Sequence, residues 1–168
     1  MKLADLFTAH LEREAAVSRR MLARVPEGRQ DWKPHERSMA FGYLSMLVAT
    51  MPSWIALTVA KDELDLNPPG GSTYRPQSWT TNAELVQAHE RSVADGREAL
   101  RQASDEHLQK PWRLLVAGKV VSENPRHVVL GDTLTHLAHH RGQLSVYLRL
   151  NGVALPSIYG PSADDKNF

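Results

Sequence analysis

Two histidines four residues apart, His136 and His140, are the side chains whose type and spacing point most directly to chemistry. On a helix, positions i and i+4 share a face, so both imidazoles can be aimed at one small volume, which is how a helix offers ligands to a divalent metal. Spacing by itself is weak, because 8 histidines in 168 residues give about 0.4 such pairs by chance. The residues between them are Leu137, Ala138 and His139, so the helix has no glutamate base of the H-E-x-x-H kind. The alternative is a pair of polar residues at a bundle edge, hydrogen-bonded to backbone or to Thr133 and Gln143. Asp132, one turn earlier, is placed either to orient His136 or to sit as a first-turn carboxylate favoured by the helix dipole. Arg141 suits an anionic substrate, or pairs with a nearby carboxylate or tail carbonyl. Gln143 and Tyr147 continue the histidine stripe, while Tyr159 either covers the bundle mouth or pins the tail.

The elements that must position these groups follow from periodicity. Residues 2–24 carry Leu3, Phe7, Leu11, Ser18 and Leu22 near one line, flanked by Leu6, Met21 and Val25, with Glu12, Arg13, Arg19 and Arg20 behind. A second helix is expected from an N-cap at Ser38, with Phe41, Leu44, Val48, Met51 and Ile55 inward and a bend at Pro52. Residues 61–80 hold three prolines and two glycines and read as a connection without regular structure. Such a joint is long enough to run the length of a bundle, whereas antiparallel neighbours need only about 2 to 8 residues. Thr81-Asn82-Ala83-Glu84 reads as a capping box opening a third helix to about residue 103, with Leu85, His89, Val93, Gly96, Leu100 and Ala103 inward. Residues 110–124 form a short β-hairpin around Ala117-Gly118-Lys119. The fourth helix covers residues 127–150, with Leu130, Leu134, Leu137, Leu144 and Leu148 inward and Asn151-Gly152 as its C-cap. Gly142, in mid-helix, implies close packing against a neighbouring helix or chain. The expected fold is therefore all-α: one domain over residues 1–168, a four-helix bundle in up-down-down-up order.

The string HLAHHRGQLSVYLRLNGVALPSIYGP resembles the last helix and tail of the DinB/YfiT-like metalloenzymes. It matches their H-x-x-x-H-R-G-Q-L at His136, His140, Arg141, Gly142, Gln143 and Leu144. It matches their Pro-x-x-Tyr-Gly-Pro-Ser-Ala-Asp tail at Pro156, Tyr159, Gly160, Pro161, Ser162, Ala163 and Asp164. Upstream, Pro34-His35, Ser38-Met39 and the spacing of Gly42, Leu44, Val48, Ala49, Pro52 and Trp54 are similar to that family's second helix. The resemblance implies a metal bound by His136, His140 and a third histidine three residues after Leu44. That position is Leu47, and an isobutyl group has no lone pair. A catalytic zinc keeps three protein ligands, so the resemblance implies a degenerate site with no tightly bound cofactor and at most a divalent ion such as Zn or Ni at low occupancy. Three readings follow: a bundle that binds a small molecule without metal chemistry; a metal-dependent enzyme, such as a small-thiol-dependent S-transferase or hydrolase; or a non-catalytic structural or stress-associated dimer. Family members often pair, and the four tryptophans are read as core or interface anchors, so a homodimer is expected.

Composition narrows the field. A net charge of +1 gives the whole chain little attraction to nucleic acid or acidic membranes. The absence of cysteine removes disulfides and thiolate sites and fits a cytoplasmic protein. Asp5, His10 and Glu12 interrupt what would be a signal peptide's apolar core. The uncharged run of residues 39–60 is long enough to span a bilayer but contains Gly42, Ser45, Pro52 and Ser53, and reads as a buried helix. No phosphate loop, nucleophile elbow or paired catalytic carboxylates are present.

Overall fold

The apolar line of the first segment becomes α1 (Leu3–Leu22), which buries Phe7, Leu11, Met21 and Leu22. The computed structural model describes residues 2–71 and 77–167. Among them the chain is mostly helical, with six helices and one small three-stranded sheet. Leu6 departs from expectation: it lies on the outer side of α1 and is 45% exposed.

The expected second helix is two. Proline has no N–H to offer the carbonyl of Val48, so the ladder breaks there, giving α2 (Phe41–Thr50) and α3 (Ser53–Ala60) at 53° to one another. Ser38 is not the cap; Ala40 holds that position, and the Ser38 N–H closes a turn onto His35 O. No single helix among the described residues is long and apolar enough to cross a membrane.

The connection after α3 also carries structure that its composition did not announce. Its residues Glu63–Asp65 form β1, parallel to β2 (Pro111–Val116), which pairs antiparallel with β3 (Lys119–Pro125). The expected hairpin is thus the larger part of a sheet. Asp65 supplies the reason, because its carboxylate accepts from the N–H groups of Asn67, Ala117 and Gly118 at 2.7–3.0 Å. Ala117 and Gly118 both have left-handed backbone, φ 52° and 75°, as the tight two-residue turn demands. The middle of the expected crossover, residues 72–76, lies outside the described residues.

The third helix is α4 (Asn82–Gln102). The Thr81 hydroxyl accepts from Glu84 N–H, but the Glu84 carboxylate accepts from Thr80 N–H and not from Thr81, one residue off the reciprocal capping box. A short α5 (Asp105–Gln109), not foreseen, is capped by Ser104. The last helix, α6 (Arg126–Leu150), ends on Gly152 at φ 72°.

Hydrogen bonds fix how these helices run. Asn82, His89 and Arg97 of α4 reach Leu22, Ala15 and Glu12 of α1, so those two are antiparallel. Trp79 and then His89 and Ser92 of α4 reach Gly42, Ala49 and Thr50, so α4 runs with α2 and α3. From the start of α6, Arg126 donates to Thr58 O and Lys61 O, closing the carbonyl end of α3, and to Pro111 O at the start of β2. This guanidinium is 1% exposed, and no sequence pattern marked it.

The break at Pro52 is stitched to α4. His89 places Nδ1 3.3 Å from Ala49 O and Nε2 3.0 Å from Ala15 O, while the Ser92 hydroxyl donates to Thr50 O. Burial holds the His89 imidazole below its ordinary pKa, against the pull of the two carbonyls. One turn on, a Cβ at Gly96 would stand 2.9 Å from Pro52 O and 3.3 Å from Leu11. Gly96→Ala is therefore expected to cost about 1–3 kcal/mol by overpacking, although alanine is the better helix former. Gly131→Ala in α6, whose Cβ would meet nothing within 4 Å, is expected to stabilise by up to ~1 kcal/mol. Urea denaturation of the two variants should give shifts of opposite sign.

Candidate functional site

The rotation of α6 decides which of its polar groups meet. Leu130, Leu134, Leu137, Leu144 and Leu148 fill the core, which leaves His140 at the edge, 6% exposed, and His136 and His139 outside. His140 Nε2 lies 2.8 Å from His136 Nε2, and His140 Nδ1 lies 2.7 Å from Gln143 Oε1. An amide oxygen only accepts, so His140 carries its proton on Nδ1, and its Nε2 lone pair accepts from His136 Nε2–H. The Gln143 amide in turn donates to His139 Nε2 at 3.1 Å. One glutamine thereby sets the tautomers along a three-histidine chain. The indole of Trp54, from α3, lies 5.7 Å from the His136 ring. Burial, followed by the neighbouring His140 and His139, lowers the His136 pKa below its ordinary value.

This donor set tests the divalent metal implied by the resemblance. Two nitrogens on one tetrahedral zinc stand about 3.3 Å apart. The 2.8 Å separation is that of a hydrogen bond. Among the described residues no group of three or more His, Asp and Glu side chains is arranged to hold a metal ion. Leu47 is buried, 8% exposed, in the core cluster that includes Leu137 and Leu144. The residues present do not fit a three-ligand metal centre.

The other candidates separate. Asp132 is exposed, and no hydrogen bond among the described residues joins it to His136. Thr133 turns back onto Val129 O. Tyr147 belongs to the core, edge-on to Trp32 and Phe41 with its hydroxyl donating to Met39 O. Arg141 points away from the histidines to a carboxylate that the sequence pattern did not single out. Its Nη2 lies 2.5 Å from Glu14 Oε2, and its Nη1 donates to Glu14 O and the Ser18 hydroxyl, both at 3.0 Å. Arg141 and Glu14 are each 1% exposed. Tyr159 pins the tail here, donating to Glu14 Oε2 at 2.6 Å and contacting Arg141 Nη2. Its position between Leu11 and Ser18 on the buried line of α1 was the available signal for Glu14. A cavity of about 540 Å³ lies elsewhere, between the end of α1 and the start of α4, lined by Arg19, Asn82, Val86 and Glu90 among others.

A helical chain with a small sheet, a paired-histidine last helix and a tail locked onto its first helix defines the structural class. The DinB family model matches residues 1–167, and the chain belongs to that family. A DinB-like protein from Bacillus cereus ATCC 10987 shares the fold at TM-score 0.70 and 20% identity, over 91% of this chain and 95% of that one. A DinB-like protein from Bacillus subtilis does so at TM-score 0.68 and 19% identity, over 91% and 96%. No curated protein matches the chain.

Burial works to raise the Glu14 pKa, but hydrogen bonds from Tyr159 and Arg141 and the guanidinium charge hold it below the ordinary 4.5. A carboxylate depressed in the folded state contributes stability that is present above its unfolded pKa and lost as pH falls through the folded value. Glu14→Gln should therefore flatten the loss of stability as pH falls below about 4.5, measured by denaturant midpoints across pH. Arg141→Met, which takes the buried guanidinium away and leaves the Glu14 carboxylate to the exposed Arg13 at 3.3 Å and the Tyr159 hydroxyl, should cost up to about 3–5 kcal/mol, and Tyr159→Phe about 1–2 kcal/mol.

Proposed function

We propose that this DinB family protein is a four-helix bundle whose paired histidines form a degenerate metal site, serving to bind a small molecule and not to hold a metal tightly. The bundle consists of α1, α2–α3, α4 and α6 in up-down-down-up order. The helix directions support it, as does the clustering of Phe7 and Leu11 with Leu130 and Leu134, which lays α1 and α6 side by side. The observation that carries the reading is the His136–His140 nitrogen pair, closed on itself by a hydrogen bond. Met39 meets Tyr147, Trp54 meets His136 and Thr58 meets Arg126. Interpolating along that ladder sets Leu47 level with the turn of α6 that carries His140. An isobutyl group then occupies the third ligand's place, and a cation there would face apolar surface where it needs a donor. His136 and the Trp54 ring instead offer a small organic ligand one nitrogen and one aromatic face. The protein acts as a homodimer in this reading, and Gly142 is compatible with it: among the described residues nothing beyond the backbone of its own helix lies within 4 Å of its Cβ position.

The protein as purified is expected to carry well under one metal per chain by elemental analysis. Leu47→His should raise zinc or nickel affinity about 10- to 100-fold, read by competition with a chromophoric chelator. The same change should cost about 1–3 kcal/mol of apo stability by placing an imidazole in the core. Stoichiometric, tightly held metal in the unmodified protein would overturn this reading in favour of a metal-dependent transferase or hydrolase.

A further inference from the structure

The outer face of α6 carries a pattern that the interior does not explain. Asp132, Thr135, His139, Gly142, Val146 and Arg149 are all exposed and follow one another at alternating steps of three and four residues. That spacing sets all six on one outward seam of the helix, the geometry through which one helix can face another. Of the four formally charged residues on α6, Arg126 and Arg141 are buried. The other two, Asp132 and Arg149, stand at opposite ends of the seam with opposite signs. Between them the seam is uncharged, and Val146 is 56% exposed. Gly142 lies near its centre. At Gly96 the missing side chain makes room for the Pro52 carbonyl, but among the described residues nothing beyond its own helix backbone lies within 4 Å of a Cβ built at Gly142. A mid-helix glycine weakens its helix, and here no neighbouring element among the described residues uses the space.

We infer that α6 pairs antiparallel with α6 of a second copy about a two-fold axis between His140 and Arg141, so that Asp132 meets the partner's Arg149, Thr135 meets the partner's Val146, and His139 seats over the partner's Gly142. This pairing rests on the self-association proposed above and specifies its surface and register. The charge pattern selects both orientation and occupant. In a parallel pair like charges would stack at each end, whereas the antiparallel pair closes an Asp132–Arg149 contact at both ends. A two-fold interface requires this kind of self-complementary patch. Arg149 already holds Asp164 at 2.5 Å, and its guanidinium has further N–H donors to offer. The interface would lie beside the histidine chain through His139, so that each copy walls the other's site.

The chain has no cysteine, which makes cross-linking clean. Thr135→Cys and Val146→Cys are prepared separately in the full-length protein, then mixed and oxidised under mild conditions. The mixture should give a disulfide-linked dimer at least about fivefold more abundant than either variant oxidised alone, with the 135–146 linkage confirmed by peptide mass. Gly142→Glu, at an exposed position with open space around its Cβ among the described residues, should keep its circular dichroism while its dimer dissociates at least about tenfold more readily in sedimentation equilibrium. If the unmodified protein sediments as a monomer at tens of micromolar, self-association itself is wrong. If it sediments as a dimer but the mixed cross-link is no more abundant than the single-variant ones, or Gly142→Glu leaves dissociation unchanged, the dimer stands and this register falls.

Discussion

A guanidinium and a carboxylate enclosed together, Arg141 and Glu14, set the geometry on which the rest of this molecule depends. Burying either charge alone would cost several kcal/mol. The pair is held by more than its Coulomb attraction, since Ser18, the Glu14 carbonyl and Tyr159 supply further hydrogen bonds to the two groups. Three parts of the chain that are distant in sequence, the middle of α1, the middle of α6 and the tail, meet at this point. Because Arg141 must face α1, the rotation of α6 about its own axis is fixed. His140, one residue earlier, is then turned to the edge of the core and His136 to its outside. The histidine geometry is a consequence of the ion pair.

A second constraint acts where α2 and α3 meet α4. Pro52 divides an apolar segment into α2 and α3 and leaves carbonyls that no backbone amide can serve. From α4, Ser92 donates to Thr50 O, the His89 ring lies between Ala49 O and Ala15 O with one N–H for the two, and Gly96 admits the Pro52 carbonyl itself. Arg126 does the corresponding work at the end of α3, so a polar group buried at each irregularity meets a partner from a neighbouring element. Trp112 differs: its indole N–H is buried with no partner among the described residues.

Much of this was legible in the residues. The 3.6-residue stripes located the main helices to within a few residues, and the H-x-x-x-H-R-G-Q-L string with its tail pointed to the DinB family, to which the chain belongs. Periodicity could not show that Pro52 breaks a helix and does not merely bend it, because that depends on whether α4 provides donors for the freed carbonyls. It could not show β1 either. Three residues of Glu-Leu-Asp have no strand signature of their own, and they pair because Asp65 finds the hairpin turn. Arg141 was readable as a cation beside two histidines, but the direction in which it points is decided by Glu14, more than a hundred residues away. Ion pairs that join distant segments are the least visible feature of a single sequence, and here they decide which polar groups form the site.

The stitched break at Pro52 also has a dynamic consequence. Helix ends ordinarily fray, and two helix ends meeting at a proline would be expected to open on their own, exchanging their amide hydrogens through small local fluctuations. Here Ser92 of α4 holds the Thr50 carbonyl, the His89 ring packs against Ala49 O, and the Pro52 carbonyl sits in the space left by Gly96. The kink cannot open unless α2–α3 separates from α4 along that face. The bent segment is thereby joined to α4 in one cooperative unit, and an apparent weak point in one helix opens only with the packing between helices.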